Sequence, residues 1–281
     1  MRRVHFFEIG DQAWCPKALR CAMTDLLELF LRISSCYAPI VPRLMGALEG
    51  MGERDIVDLC AGGGGPWPRL LSARDDEPAL RVLLTDKYPN TVGARRVADA
   101  SHGRICSEPR SVDAMAVPRD LRGFRTMFTS FHHFRPAAAP AILVDAVNDR
   151  AGIGVFEFTE RGAVAIAVLA LTPLGVLIAV PFLRPVRWQT FVLTYLIPIF
   201  PLAMFFDGIV SCLRSYSPAE LSTLIEPLRE HGYSWEVGKA RRWGWPISVT
   251  YLLGYPVDDR DARRASRNPW PKRSSFDGPM P

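Results

Sequence analysis

The chain contains no C-x-x-C pair, although it has six cysteines, at positions 15, 21, 36, 60, 106 and 212. Only five histidines are present, and none joins the cysteines at zinc-site spacing. Spacing therefore assigns no metal, and reduced, mostly buried thiols of a cytosolic protein are the expected state. The opening stretch MRRVHFFEIGDQAW carries two arginines without a long apolar run behind them, so no secretory signal is expected. No internal repeat is visible. Nor is there a concentrated basic stripe outside the C-terminal tail: 34 lysines and arginines are mixed with 29 acids, for a net charge of +5. Nucleic acid is therefore not an expected partner. Weak attraction to an anionic membrane surface fits a balance of this sign.

What is present suffices for one large core, since 48% of 281 residues are hydrophobic. Residues 16–33 carry apolar side chains at 19, 22, 23, 26, 27 and 30, which is a helical stripe. A second helix is expected from Pro39 to Leu48. The pattern then changes. RDIVDL (54–59), LRVLLT (80–85), FRTMFT (124–129) and GIGVFEF (152–158) read as short buried strands, with a shorter one near Ile105 to Val112. Strands separated by helical segments at this spacing imply a parallel α/β sheet with helices on both faces. Ser217, Pro218 and Glu220 spell the start of a capped helix ending near Gly232. Residues 233–237 and 247–255 read as two further strands. From Val257 to Pro281 little can be buried, and a disordered tail is expected.

The stretch DIVDLCAGGGGPWPRLL places glycines 62–65 directly after the first strand. In an open α/β sheet, ligands bind at the carboxyl ends of the strands, and glycines there let the backbone approach a ligand closely. A pyrophosphate fingerprint fails, because Trp67 stands where its third glycine belongs if counting starts at Gly62. A Walker A loop fails too, since no Gly-Lys-Ser/Thr follows. Asp58, at the strand end, would repel a diphosphate and attract an ammonium group.

This arrangement resembles the class I S-adenosylmethionine-dependent methyltransferases. Their first motif is an acid followed by alternating glycines, and here it reads Asp58-Leu59-Cys60-Ala61-Gly62-Gly63-Gly64, with Cys60 where glycine is usual. In that family an acid after the second strand binds the ribose hydroxyls, and Asp86 in VLLTDKYPN matches. A third acid lies near the adenine, and Asp113 in SVDAMAVP matches. One carboxylate can accept from two adjacent hydroxyls in charge-assisted fashion. The resemblance covers about residues 54–160, and residues 217–255 look like the family's usual ending. It implies a Rossmann-like, seven-stranded sheet and S-adenosyl-L-methionine as cofactor. It places Asp58, Ala61, Gly62, Gly63, Gly64, Asp86, Lys87, Asp113, Ala114 and Ser130 around that cofactor.

TSFHHFRP (129–136) follows the fourth strand, whose end faces the methyl group in the resembled fold. His132 and His133 are the candidate catalytic bases, because imidazole titrates near neutral pH. Methyl transfer needs mainly alignment, so the competing reading is one ring as a loop residue and the other packed against adenine or substrate. Glu157 and Glu160 are expected as solvated rim charges. Phe6, Phe7 and Trp14 are candidates to line the acceptor pocket, with plain hydrophobic packing as the other reading.

Residues 163–183 form 21 consecutive uncharged positions, and 191–206 form another 16. Only the first is long enough to span a bilayer. Spanning would export Arg184 and Arg187, against the positive-inside tendency. The favoured expectation is an apolar helical hairpin dipping into one leaflet, with Arg184, Arg187 and Trp188 near headgroups. A hydrophobic lid and a dimer patch remain the alternatives.

The expected organisation is an N-terminal helical cap (1–50), a cofactor-binding half (51–162), an apolar insertion (163–206), a closing helix with two strands (207–256) and a tail (257–281). The expected activity is methylation of a small or lipid-like acceptor by a cytoplasmic, membrane-associated enzyme. The alternative is a non-catalytic, cofactor-binding or membrane-attached interaction protein. A nicotinamide oxidoreductase is disfavoured by Trp67 and Asp58. Oligomeric state is open.

Overall fold

A computed structural model describes residues 2–72, 80–89, 97–99, 101–244 and 246–257. The expected tail therefore lies outside the described residues. Seven strands form one sheet: β1 (Asp55–Asp58), β2 (Arg81–Leu84), β3 (Ile105–Ser107), β4 (Phe124–Phe128), β5 (Ile153–Glu157), β6 (Tyr233–Ala240) and β7 (Val249–Pro256). Their order is β3-β2-β1-β4-β5-β7-β6. β1 to β5 pair in parallel, while β7 runs antiparallel to both β5 and β6. The order reverses direction on either side of β1, which makes a switch point where ligands bind.

Among the described residues, the helices include α1 (Lys17–Ile33), α2 (Val41–Met51), α3 (Trp67–Ser72), α4 (Ala139–Asn148), α5 (Ala163–Leu169), α6 (Thr172–Ala179), α7 (Trp188–Phe191), α8 (Ile199–Arg214) and α9 (Pro218–Ile225). The period-two alternation of the strands divides the core into two layers. Ile56, Phe124 and Phe156 face α2 and α3, packing on Leu44, Leu48 and Trp67. Val57, Met127 and Val155 face the other way, onto Ile142, Leu143 and Leu221 of α4 and α9. Arg125 of β4 is 2% exposed and reaches Asp145 at 2.7 Å and Asp149 at 2.5 Å, tying the sheet to α4.

Several boundaries differ from expectation. The second helix starts as a 3-10 turn at Ala38–Ile40 and runs to Met51, where Gly52 (φ 65°) stops it in the left-handed region. The capping box at Ser217 and Glu220 forms, but the α-helix ends at Ile225 rather than near Gly232. Pro227 lacks the N–H that the helix needs, and a 3-10 turn at Glu226–Leu228 takes over. β6 and β7 run on to Ala240 and Pro256, because their pairing continues beyond the apolar run.

The insertion is more broken than one hairpin. α5, α6 and a 3-10 turn form an apolar stretch, Ala163–Phe182, of mean hydropathy 2.6 with 17% of its window buried. α7 passes into a π-turn at Val192–Leu196 and then bends by 82° into α8, which extends past residue 206 to Arg214. Pro198 stands at that bend, as a proline inside a helical run requires. The insertion is not a free appendage. Val176, Val180, Leu183, Phe200 and Ala203 share a core with Leu19, Ala22 and Met23 of α1. Arg187, expected near headgroups, instead pairs with Asp25 of α1. A long arginine beside a buried carboxylate turns inward, leaving Trp188 (70% exposed) and Phe182 (63%) on the outer face.

Candidate active site

The residues assigned to a cofactor occupy the carboxyl ends of four adjacent strands. Asp58 closes β1, and Ala61, Gly62, Gly63 and Gly64 form the turn into α3. Asp86 and Lys87 follow β2, Asp113 and Ala114 follow β3, and Ser130 follows β4. Gly62 (φ 56°) and Gly64 (φ 120°) use conformations that side chains resist, and Cys60 (φ 56°) shares the left-handed region despite its Cβ.

The turn is stitched to its neighbours. Gly62 N–H donates to Asp86 Oδ2 at 3.0 Å, and Tyr88 N–H donates to Asp86 Oδ1 at 2.8 Å. Val112 N–H donates to the Asp86 carbonyl at 3.0 Å, so the loops after β2 and β3 run side by side. Lys87 Nζ meets Asp113 Oδ2 at 2.8 Å and holds that carboxyl below its usual range. Asp58 is 1% exposed. Burial raises its pKa from 3.8 to about 7, against the opposing hydrogen bond from Thr126 Oγ1 at 2.6 Å. Trp67 also lowers the Asp58 pKa from its side of the carboxylate, whereas Ser130 Oγ is buried without a hydrogen-bond partner. Such an orphaned polar atom is uncommon and points to a polar guest.

The space between the strand ends is narrow. Ala61, Gly62, Thr85, Asp86, Ser107 and Glu108 border a cavity of about 10 Å³, no more than a water needs. A Cβ at Gly63 would stand 1.9 Å from Glu28 Oε1, so α1 lies across the turn. A larger cavity, of about 280 Å³, lies among Arg3, Glu160, Arg161, Tyr216, Glu220 and Lys239. It sits away from the strand ends carrying Asp58 and Asp86, and ion pairs such as Lys239–Glu160 at 2.6 Å line it.

His132 and His133 lie in a 3-10 turn, Phe131–His133, just past β4. Their ring centroids are 4.3 Å apart. His132 is 1% exposed. Its Nδ1 lies 2.7 Å from Glu157 Oε2, and its Nε2 faces Glu8 Oε1 at 3.6 Å, beyond hydrogen-bond range. Burial works against a charge on this ring, but Glu157 and Glu8 outweigh it and raise its pKa from 6.5 to about 9. His133 is half-buried, with Nδ1 3.1 Å from Asp11 Oδ2 and Nε2 3.8 Å from Glu8 Oε2. Arg214 of α8 joins Glu8 at 3.0 Å and Asp11 at 3.3 Å.

Glu157 corrects the expectation of a solvated rim charge: it is 1% exposed and also accepts from Phe131 N–H at 2.7 Å. Its strand ends under the 3-10 turn, so the carboxylate points at free backbone donors instead of water. Glu160 is partly exposed and pairs with Lys239. Trp14 is 64% exposed, and Phe6 and Phe7 pack against Phe206 of α8. Sequence reading missed Glu8, Asp11, Glu28 and Arg214. The one visible signal was an acid inside an aromatic stretch, HFFEIG.

No family model matches the chain, and no curated protein does. Solved structures do. A carbon methyltransferase, CurJ, aligns at 11% identity and TM-score 0.51 over 87% of this chain and 62% of that one. NcsB1, an O-methyltransferase from neocarzinostatin biosynthesis solved with S-adenosylmethionine and 2-hydroxy-5-methyl naphthoic acid, aligns at 18% identity and TM-score 0.47, over 86% and 59%. An O-methyltransferase family protein from Burkholderia thailandensis gives 16% and 0.45, over 84% and 60%. The chain thus spans about three fifths of the length of each. The sheet order and the CurJ likeness together define the fold: this chain has the class I methyltransferase fold, with an N-terminal helical region and an apolar helical segment between β5 and β6.

Proposed function

We propose that the protein is an S-adenosylmethionine-dependent methyltransferase acting on a small, lipophilic acceptor, and that it works at a membrane surface. The observation that carries the reading is the row of acids on one sheet edge. Asp58 ends β1, Asp86 and Asp113 lie in the loops after β2 and β3, and Asp86 is bonded to the glycine turn itself. The residues fit the cofactor by their chemistry. Asp86 and Asp113 are acceptors for ribose hydroxyls and the adenine amino group. A cationic guest would favour the ionised form of buried Asp58, and Ser130 Oγ has a hydrogen bond still to make. The bound group would supply an electrophilic methyl on a sulfonium. The chain's part is to hold it in line and to manage the acceptor's proton beside His132 and His133.

The lipophilic acceptor and the membrane surface draw support from the insertion. Leu171, Leu174, Ile178, Phe182, Trp188 and Leu196 are exposed on it, and apolar patches of this kind rarely lack a partner. Its last helix, α8, ends at Arg214 beside His133, so the apolar surface and the acceptor side of the sheet are continuous. The 10 Å³ cavity favours a second reading, a non-catalytic domain that has lost its ligand. Incubating the protein with S-adenosylmethionine and a crude lipid extract separates the two. Formation of S-adenosylhomocysteine, dependent on the extract, supports the enzyme. Its absence alongside measurable cofactor binding supports the non-catalytic reading.

A further inference from the structure

We propose that Glu8, His132 and His133 form a binding site for one divalent first-row metal ion at the acceptor side of the sheet. One ligand atom from each residue lies within 4.8 Å of the others. The gaps of 3.6 and 3.8 Å from Glu8 to the two Nε2 atoms are too long for hydrogen bonds. Bonds of about 2.0–2.2 Å place neighbouring ligands roughly 3.0–3.6 Å apart, so the His132 gap, to Oε1, matches ligands around a common centre and the His133 gap, to Oε2, is slightly wider.

Three further observations converge on this point. His132 Nε2 is fully buried, aimed at the cluster and without a hydrogen-bond partner. Both rings are oriented from behind by carboxylates, Glu157 on His132 Nδ1 at 2.7 Å and Asp11 on His133 Nδ1 at 3.1 Å. A carboxylate on the far nitrogen is the arrangement that orients a metal-bound imidazole. Glu8 Oε1 already accepts from Ser211 Oγ at 2.9 Å and from Arg214 at 3.0 Å, whereas Oε2 faces His133. Charge also fits: Glu8, Asp11 and Glu157 against Arg214 leave two negative charges around the rings. Two imidazoles and a carboxylate suit zinc, iron, nickel or copper better than calcium or magnesium. The ligands come from segments more than 120 residues apart, which is why spacing gave no sign of them.

The use of such an ion rests on the methyltransferase reading. Bound there, it polarises an acceptor oxygen and favours release of the hydroxyl proton to water, and that oxygen then takes the methyl from the sulfonium. The site itself can be tested without turnover. The full chain is stripped with chelator and titrated with Zn²⁺ by calorimetry, and the zinc-loaded protein is examined by X-ray absorption. The expected result is one ion per chain with nitrogen and oxygen ligands. Glu8→Gln and His133→Ala should each weaken binding at least tenfold while thermal midpoints stay close to that of the unaltered protein. No saturable binding, sulfur ligation, or binding unchanged in both variants overturns the proposal. Should either variant fail to fold, the absorption spectrum of the unaltered protein decides. Zinc binding without S-adenosylmethionine binding keeps this site and removes the methyltransferase reading; the converse result does the reverse.

Discussion

Asp58 carries the sharpest consequence at the residue scale. Its pKa is about 7 in the fold against 3.8 outside it. The folded state therefore holds a proton that the unfolded state has released, and stability from this group is full below pH 3.8 and falls as pH rises towards 7. Urea midpoints at pH 5 and pH 8 should differ more for the unaltered protein than for Asp58→Asn, which cannot titrate. Equal pH dependence would show that burial does not load this carboxylate. Cys60 offers a second test. It holds φ 56° with a Cβ, at about 1–2 kcal/mol, and glycine removes that strain while gaining about 0.4–1 kcal/mol of unfolded-state freedom. Cys60→Gly should raise stability slightly, by about 0.5–1 kcal/mol in denaturant unfolding; a loss would contradict the strain. Asp58 and Asp86 stood out in the sequence because each closes a short apolar run, whereas Asp113, after SEPRSV, was picked out by the family resemblance alone. Glu8 and Arg214 were not, since neither has a neighbour in sequence that shares its site.

Among elements, the central strands were the most legible, because burial on both faces writes short apolar runs, interrupted in β4 only by Arg125 and Thr126. The helix ends were less so: Pro227 and the pairing of β6 with β7 act through geometry that periodicity does not carry. The insertion was visible as apolar but not as a cap built jointly with α1. That joint core means its removal must respect Leu19, Ala22 and Met23. The outer face can be tested without touching the core. Replacing Phe182 and Trp188, which are 63% and 70% exposed, with serine should reduce pelleting with anionic vesicles while leaving the melting temperature within a few degrees, since surface changes are usually worth about 0.5 kcal/mol or less. Unchanged pelleting would remove the membrane surface from the account.

For the molecule as a whole, the fold places two kinds of chemistry on one edge. Acids and a glycine turn lie at β1, β2 and β3, and paired imidazoles lie at β4 under a cap whose outer face is apolar. The cap and the sheet meet through Glu8, Asp11 and Arg214, so the proposed acceptor side needs both the N-terminal segment and α8 in place. The proposed cofactor side is the sheet edge with α1 laid across its glycine turn, and the proposal stands on Asp86 holding a nucleoside. Titrating the full chain with S-adenosylmethionine by calorimetry, alongside Asp86→Ala, tests that claim directly. A charged hydrogen bond contributes about 1.5–3 kcal/mol. The account predicts one saturable site per chain, weakened by about ten- to a hundredfold in the variant with its fold intact. Absence of binding, or equal affinity in both proteins, would contradict it.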